Sequence, residues 1–344
     1  MDCIEPLVEP HFWMSSIVQI SIAGFSMIGN CIIMVIMRDA VPIPAGMRRM
    51  MASLSVSFAM LAGVQLTRNL FVIISMYRPC INLTTTLTCK LIEFPLIFSY
   101  IYAAASTFFT SLWATINTKE ERAIIPWSAA CSAWESSILV GSIALTLIFT
   151  AFDFDMENIT LSRCSLLLAL RNPNLGFLLL TCLTGFITLS VGIIAFITYS
   201  TDQLQKPWSY LAFCLKDVIC FEGILWLISF LVTGAVILYR HIFITHCEAC
   251  AYYAIQFFFA FIPLLVSFLH PIISIWYIFP VRDAATRTFP YLNYFLPEYV
   301  ILPPSYLDKR SERLKYSIRD KGTSIEEKES LPNGKTEANL LEEA

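Results

Sequence analysis

The chain has 344 residues, of which 57% are hydrophobic and only 14% charged, where soluble domains run near about 25% charged. Its net charge is −3 with no strongly basic concentration, which excludes nucleic acid as a partner. Polar and charged residues gather in 303–344 and the rest is mostly apolar, a balance that excludes a soluble globular protein and points to one embedded in a bilayer.

The stretch 1–13, "MDCIEPLVEPHFW", is acidic and lacks the Lys/Arg region of a cleavable signal peptide. The apolar run that follows, 14–37, carries no charged side chain and is long enough to cross a ~30 Å hydrocarbon core as a tilted helix. Lipid offers no hydrogen bonds, so each backbone N–H and C=O in such a run must be satisfied within it, which selects a helix. Six more runs follow, at 52–76, 91–117, 137–152, 175–199, 220–238 and 251–279; the fourth is the shortest, its start blurred by "WSAACSAWESS". The predicted fold class is an all-α membrane protein, a seven-transmembrane helix bundle over 14–280. A membrane-proximal segment is expected over 281–302 and a disordered cytoplasmic tail over 303–344, too polar to offset the entropy of ordering. Ser311, Ser317, Thr323 and Ser324 in that tail are candidate phosphorylation sites.

Asp2, Glu5 and Glu9 precede the first run, and Arg38, Arg48 and Arg49 follow it. The positive-inside rule therefore predicts an extracellular amino terminus and a cytoplasmic first loop. Glycosylation sequons at Asn82 and Asn158 both fall in loops predicted to lie outside. So do Cys3, Cys80, Cys89, Cys164, Cys247 and Cys250, on the side where disulfides form. "HCEAC" at 246–250 has no second ligand pair, so a local disulfide or free thiols are expected there rather than a metal.

Charges at membrane depth need a partner or a watery cavity. Arg68 is expected about 12 Å below the outer end of the second span, and Glu93 near the outer end of the third. Arg68 is read as a ligand contact, as half of an Arg68–Glu93 pair, or as a side chain reaching out to the interface. Phe94, Phe98, Tyr100, Tyr252, Tyr253, Phe257 and Phe258 crowd the same half of the bundle and suit a small, mostly apolar ligand. Pro271 interrupts the seventh span and gives a pivot, with His270 beside it as a packing or switch residue. At the inner ends, Glu121 and Arg122 follow the third span while Lys216, Asp217 and Glu222 enter the sixth; an Arg122–Glu222 contact is a candidate lock. No phosphate loop, HExxH motif or proton-relay cluster is present, so no catalytic residue, cofactor or metal is expected.

The stretch "WSYLAFCLKDVICFEGI" at 208–224 resembles the Y-S-L-x-x-R-F-Q-L-K-E-N motif of the nematode seven-transmembrane chemoreceptors of the Sra superfamily (Sra, Srab, Srb and Sre), Sre foremost. Trp208, Ser209, Phe213, Leu215, Lys216 and Asp217 carry the likeness, while Ala212, Cys214 and Val218 depart from it. Glu121-Arg122 and Trp134-Glu135 are similar to the superfamily's E-R-x-x-A…Y-E, at a spacing about two residues too long, and "HPIISIWYIFPVRDA" at 270–284 resembles its seventh-span ending. The resemblance implies a G-protein-coupled receptor at the plasma membrane of a sensory cilium, with a small-molecule ligand, a heterotrimeric G protein and membrane lipid as partners. It also implies a Cys89–Cys164 disulfide; on the residues alone, Cys164 pairing with Cys80 or staying free remains open. The departures fall on the implied coupling surface. A multi-pass transporter is the alternative, expected to show an internal repeat, and a membrane-embedded lipid-modifying enzyme is a third class.

Overall fold

The computed structural model describes residues 10–40, 43, 45–76, 84–119, 127–151, 160–161, 173–202, 209–239 and 253–296. Within them run α1 (Pro10–Asp39), α2 (Ala45–Met76), α3 (Thr86–Lys119), α4 (Trp127–Ala151), α5 (Pro173–Asp202), α6 (Ser209–Leu238), α7 (Ile262–Tyr277) and α8 (Phe279–Thr288). A π-helical turn, Gln256–Phe261, leads into α7, and a 3-10 turn, Pro290–Tyr294, follows α8. Seven segments are long and apolar enough to span a membrane: Met14–Arg38, Gly46–Phe71, Cys89–Ala114, Ala133–Thr150, Asn174–Tyr199, Cys214–Leu238 and Tyr253–Tyr277. The expected seven-span, all-α bundle is what the chain forms.

Two expected boundaries move, for one physical reason. The fourth helix begins at Trp127 and the sixth at Ser209, about ten residues before the apolar runs expected at 137 and 220. Hydropathy registers only the part of a helix surrounded by lipid, whereas the first turns of α6 are amphipathic. They bury Cys214, Leu215, Val218 and Ile219 and leave Lys216 and Asp217 partly exposed. Part of the segment expected at 281–302 is also helical: Ile278 breaks from α7 in an extended conformation and α8 starts directly after it. Pro280 fits that first turn because no helical bond needs its missing N–H.

A two-stranded antiparallel ribbon, β1 (Thr84–Thr85) and β2 (Thr160–Leu161), pairs Thr84 with Leu161 and Thr85 with Thr160. Thr84 and Thr160 are the sequon threonines, so both sequons lie at one end of the bundle; Asn82 and Asn158 themselves are outside the described residues. This ribbon end holds the starts of α1, α3 and α5. The opposite, α8 end holds the starts of α2, α4 and α6.

Helix α3 packs against α2, α4, α5 and α6, and α7 against α1, α2 and α6. Apolar side chains form two layers. Toward the ribbon, Phe58, Tyr100, Trp226, Phe230 and Phe259 meet. At the α8 end, Val281, Ala284 and Ala285, spaced to share one face of α8, join Met37, Met47, Trp113 and Leu215. Exposed Phe25, Val35, Leu139, Val140, Phe196 and Leu231 form part of the belt that meets hydrocarbon.

Helices α1 and α7 are closely packed at Gly29. A Cβ built there would lie 2.9 Å from Pro271 Cγ and 3.4 Å from Pro271 Cβ. Gly29→Val should force these helices apart at a cost of about 1–3 kcal/mol, read as a lower melting temperature of the detergent-solubilised protein. Gly141→Val, at a position with open space around it, is the matched control and should leave the melt unchanged.

Candidate functional site

Two buried polar layers cross the bundle. The first lies toward the ribbon, about 10–14 Å from the middle of the spans. In it Arg68 Nη2 and Glu93 Oε1 are 2.9 Å apart, with side chains 13% and 4% exposed. At such burial an unpartnered charge would be strongly destabilising, so the pair locks α2 to α3. The Arg68–Glu93 pairing, one of the readings open in the sequence, is therefore present. Around it the Asn69 amide donates to Gln19 Oε1 at 3.1 Å, and the Gln256 amide approaches the same oxygen at 3.5 Å, joining α1, α2 and the turn before α7. Gln65 Nε2 donates to Tyr100 OH at 3.0 Å, and Tyr100 in turn donates to the Phe259 carbonyl.

Of the described aromatic candidates, Tyr100 reaches that layer through its hydroxyl, and not all the others face it. Tyr100 is fully buried, edge-on to Trp226 and Phe259. Phe98 stacks on Tyr102 and lies about 200° round α3 from Tyr100, away from the bundle centre. Phe94 and Tyr253 are partly buried; Phe257 is half exposed, packed on Phe258 and Phe261 at the bundle surface. Tyr252 lies outside the described residues.

The second layer sits about 6 Å from the middle, on the α8 side. Its centre is a contact between α6 and α7: His270 Nδ1 to Glu222 Oε1, 2.7 Å, both side chains almost fully buried. Glu222 was expected at the inner end of its span, facing Arg122. With α6 starting at Ser209, Glu222 is three to four turns into the helix, and its partner is His270. Glu121 and Arg122 lie outside the described residues. His270 Nε2 is 3.4 Å from Ser55 Oγ, whose own proton goes to the Met51 carbonyl. Nε2 is therefore the donor in that contact. Glu222 Oε2 has no hydrogen-bond partner among the described residues. Lys216 and Asp217, 4.0 Å apart, stay near the surface at the α8 end.

Two features of α7 were not read from the sequence. Pro271 has no N–H for the Ser267 carbonyl, and Asn30 of α1 supplies the missing donor at 2.9 Å. Ser267 Oγ donates to the Phe58 carbonyl at 2.9 Å, so the 2.6 Å contact with Ser26 Oγ has Ser26 as donor. Pro263 does the same nearer the ribbon. The Ile262 N–H bonds back to Phe257 O, a π-type step, and Pro263 has no N–H to offer the carbonyls that follow. Phe258 O instead accepts from Ser229 of α6 and Phe259 O from Tyr100 of α3, while Ala260 O, opposite the N–H of Leu264, accepts an added bond from Gln65 of α2 at 3.4 Å. The signals were there in Pro263 and in uncharged amides (Gln19, Asn30, Gln65 and Asn69) placed within apolar runs.

Cys89, at the start of the third span, is disulfide-bonded; Cys164, the implied partner, lies outside the described residues. Among the described residues no three His, Cys, Asp or Glu side chains come together to hold a metal ion.

Arg68→Ala or Glu93→Ala alone strands a buried charge and should cost about 3–5 kcal/mol, seen as lost surface expression. Arg68→Met with Glu93→Leu removes both charges and should recover most of that expression, measured by surface labelling against total protein.

No family model matches the chain. A protein of Caenorhabditis elegans named "Uncharacterized protein T09B9.5" is 42% identical over 306 residues, which cover 88% of this chain and 84% of that protein. Identity at that level, carried through almost the whole seven-span bundle, places the two in one family. The chain belongs to the family of this nematode protein, as a seven-span helical membrane protein.

Proposed function

We propose that this protein is a G-protein-coupled chemosensory receptor at the plasma membrane, with its amino terminus outside. On this reading a small molecule binds toward the ribbon end, where Arg68, Glu93, Gln65 and Phe94 lie on neighbouring helices, and a heterotrimeric G protein engages the α8 end. The resemblance of the sixth-span stretch and the seventh-span ending to the Sra superfamily supports this, and it implies a sensory cilium as the location. A relative from a nematode accords with it.

The observation that carries the reading is the buried Glu222–His270 contact between α6 and α7, on the α8 side of the middle of the bundle. A receptor needs two packings of one bundle, and a ligand shifts their balance only by binding one of them better. A polar contact across two helices inside an apolar bundle is a discrete element of that kind: made, it holds α6 to α7; broken, it strands a carboxyl group in the core. Pro271, next to His270 in sequence, lets the α8 half of α7 pivot. The Gln65–Tyr100–Phe259 chain ties the ribbon-end layer to the start of α7, and Phe58, in the same apolar cluster as Tyr100, packs its ring 4.6 Å from that of His270, so a ligand that moves the first layer has a packed route to the second.

Glu222→Gln keeps the shape of the side chain and weakens the hold on His270. At matched surface expression it should raise ligand-independent dissociation of a co-expressed heterotrimer several-fold, measured by resonance energy transfer across a panel of Gα classes. His270→Asn should act in the same direction. If neither wild type nor either variant moves any heterotrimer, receptor coupling is wrong and a transport assay becomes the next test.

A further inference from the structure

We propose that the cleft between α3 and α5 is a binding site for one acyl chain of a phospholipid in the leaflet at the α8 end. The cleft has a volume of about 330 Å³ and is lined by Leu112 of α3 and by Thr188, Leu189, Gly192, Phe196 and Ile197 of α5. It exists because α4 packs on α3 and α2 and barely meets α5, leaving one flank of α5 uncovered. Gly192 deepens it: a Cβ built there meets nothing within 4 Å.

Depth and length identify the occupant. The cleft lies within the span Asn174–Tyr199, so whatever fills it comes from the bilayer. Its residues recur every four positions and form one stripe along α5 about 14 Å long. Half of a hydrocarbon core is about 15 Å, so the stripe matches one leaflet. It starts near the middle of the span and ends just short of Tyr199, an exposed tyrosine at the border where aromatic side chains meet headgroups. A sterol would bring its hydroxyl to that border end, where the lining is Phe196 and Ile197. The hydroxyl in the lining, Thr188, is at the opposite, midplane end, and Thr198 is already bonded to the Ile194 carbonyl at 3.0 Å. An unbranched chain running inward needs no polar partner along the stripe, and the lining offers almost none.

The test uses full-length protein in nanodiscs of phosphatidylcholine and phosphatidylserine, doped with a phosphatidylcholine whose acyl chain carries a diazirine near its end. Adducts on the 188–197 peptide should saturate as the probe fraction rises, whereas those on the exposed α4 residues Leu139, Val140 and Ile143 should rise linearly. Gly192→Trp fills the cleft and should bring labelling of α5 down to the α4 level; Gly141→Trp, with equal space around it, should leave it unchanged. Linear labelling of both faces overturns the proposal, as does saturable labelling that Gly192→Trp leaves intact. Saturation by a diazirine-bearing sterol and not by the acyl probe would also overturn it.

Discussion

The seventh span depends on other helices for its own backbone bonding. Two prolines within it, Pro263 and Pro271, withhold N–H donors that an unbroken helix would use. In lipid no water replaces them, so the freed carbonyls must be met by protein. Asn30 of α1, Tyr100 of α3 and Ser229 of α6 meet them, and Gln65 of α2 adds a bond to the neighbouring Ala260 carbonyl. Four of the other helices thereby converge on α7, through bonds that have no counterpart if α7 stands alone. This makes α7 the element against which the rest of the bundle is aligned.

The polar layers follow from that arrangement. Burying Arg68 with Glu93, or Glu222 with His270, is tolerable only where the partners are held in register, and register is what the α7 carbonyls impose. The two layers then divide the interior. Toward the ribbon an ion pair and a chain of amides supply hydrogen-bonding groups at a depth suited to a small ligand. Toward α8 a carboxyl–imidazole contact joins the two helices that flank the proposed coupling surface. Under the proposed function, a ligand would change the packing of the first layer and α7 would carry the change to the second.

The spans were legible because a bilayer permits few solutions: a long uncharged run has to be a helix, and seven runs give seven helices. Arg68 and Glu93 were legible for a related reason, since charges at depth demand each other or water. The starts of α4 and α6 were not, because amphipathic turns such as Cys214–Ile219 bury one face without reading as apolar. That error placed Glu222 at the end of its span and hid its contact with His270. The π turn was illegible for a deeper reason. Pro263 marks a missing donor, but which side chains take up the released carbonyls is a property of the folded bundle. Phe98 and Phe257 were counted with the inward aromatics because composition records that rings are present and not which way each faces.

The direct test of α7's dependence on its neighbours is a double-mutant cycle between Asn30 and Pro271. Asn30→Leu in the native background leaves the Ser267 carbonyl without its donor and should cost about 1–3 kcal/mol, measured by thermal unfolding in detergent. Pro271→Ala gives that carbonyl a donor within α7, so in this background Asn30→Leu should cost little. An equal cost in both backgrounds would mean that Asn30 stabilises the bundle by packing alone, and would contradict the account of α7 as a helix completed by its neighbours.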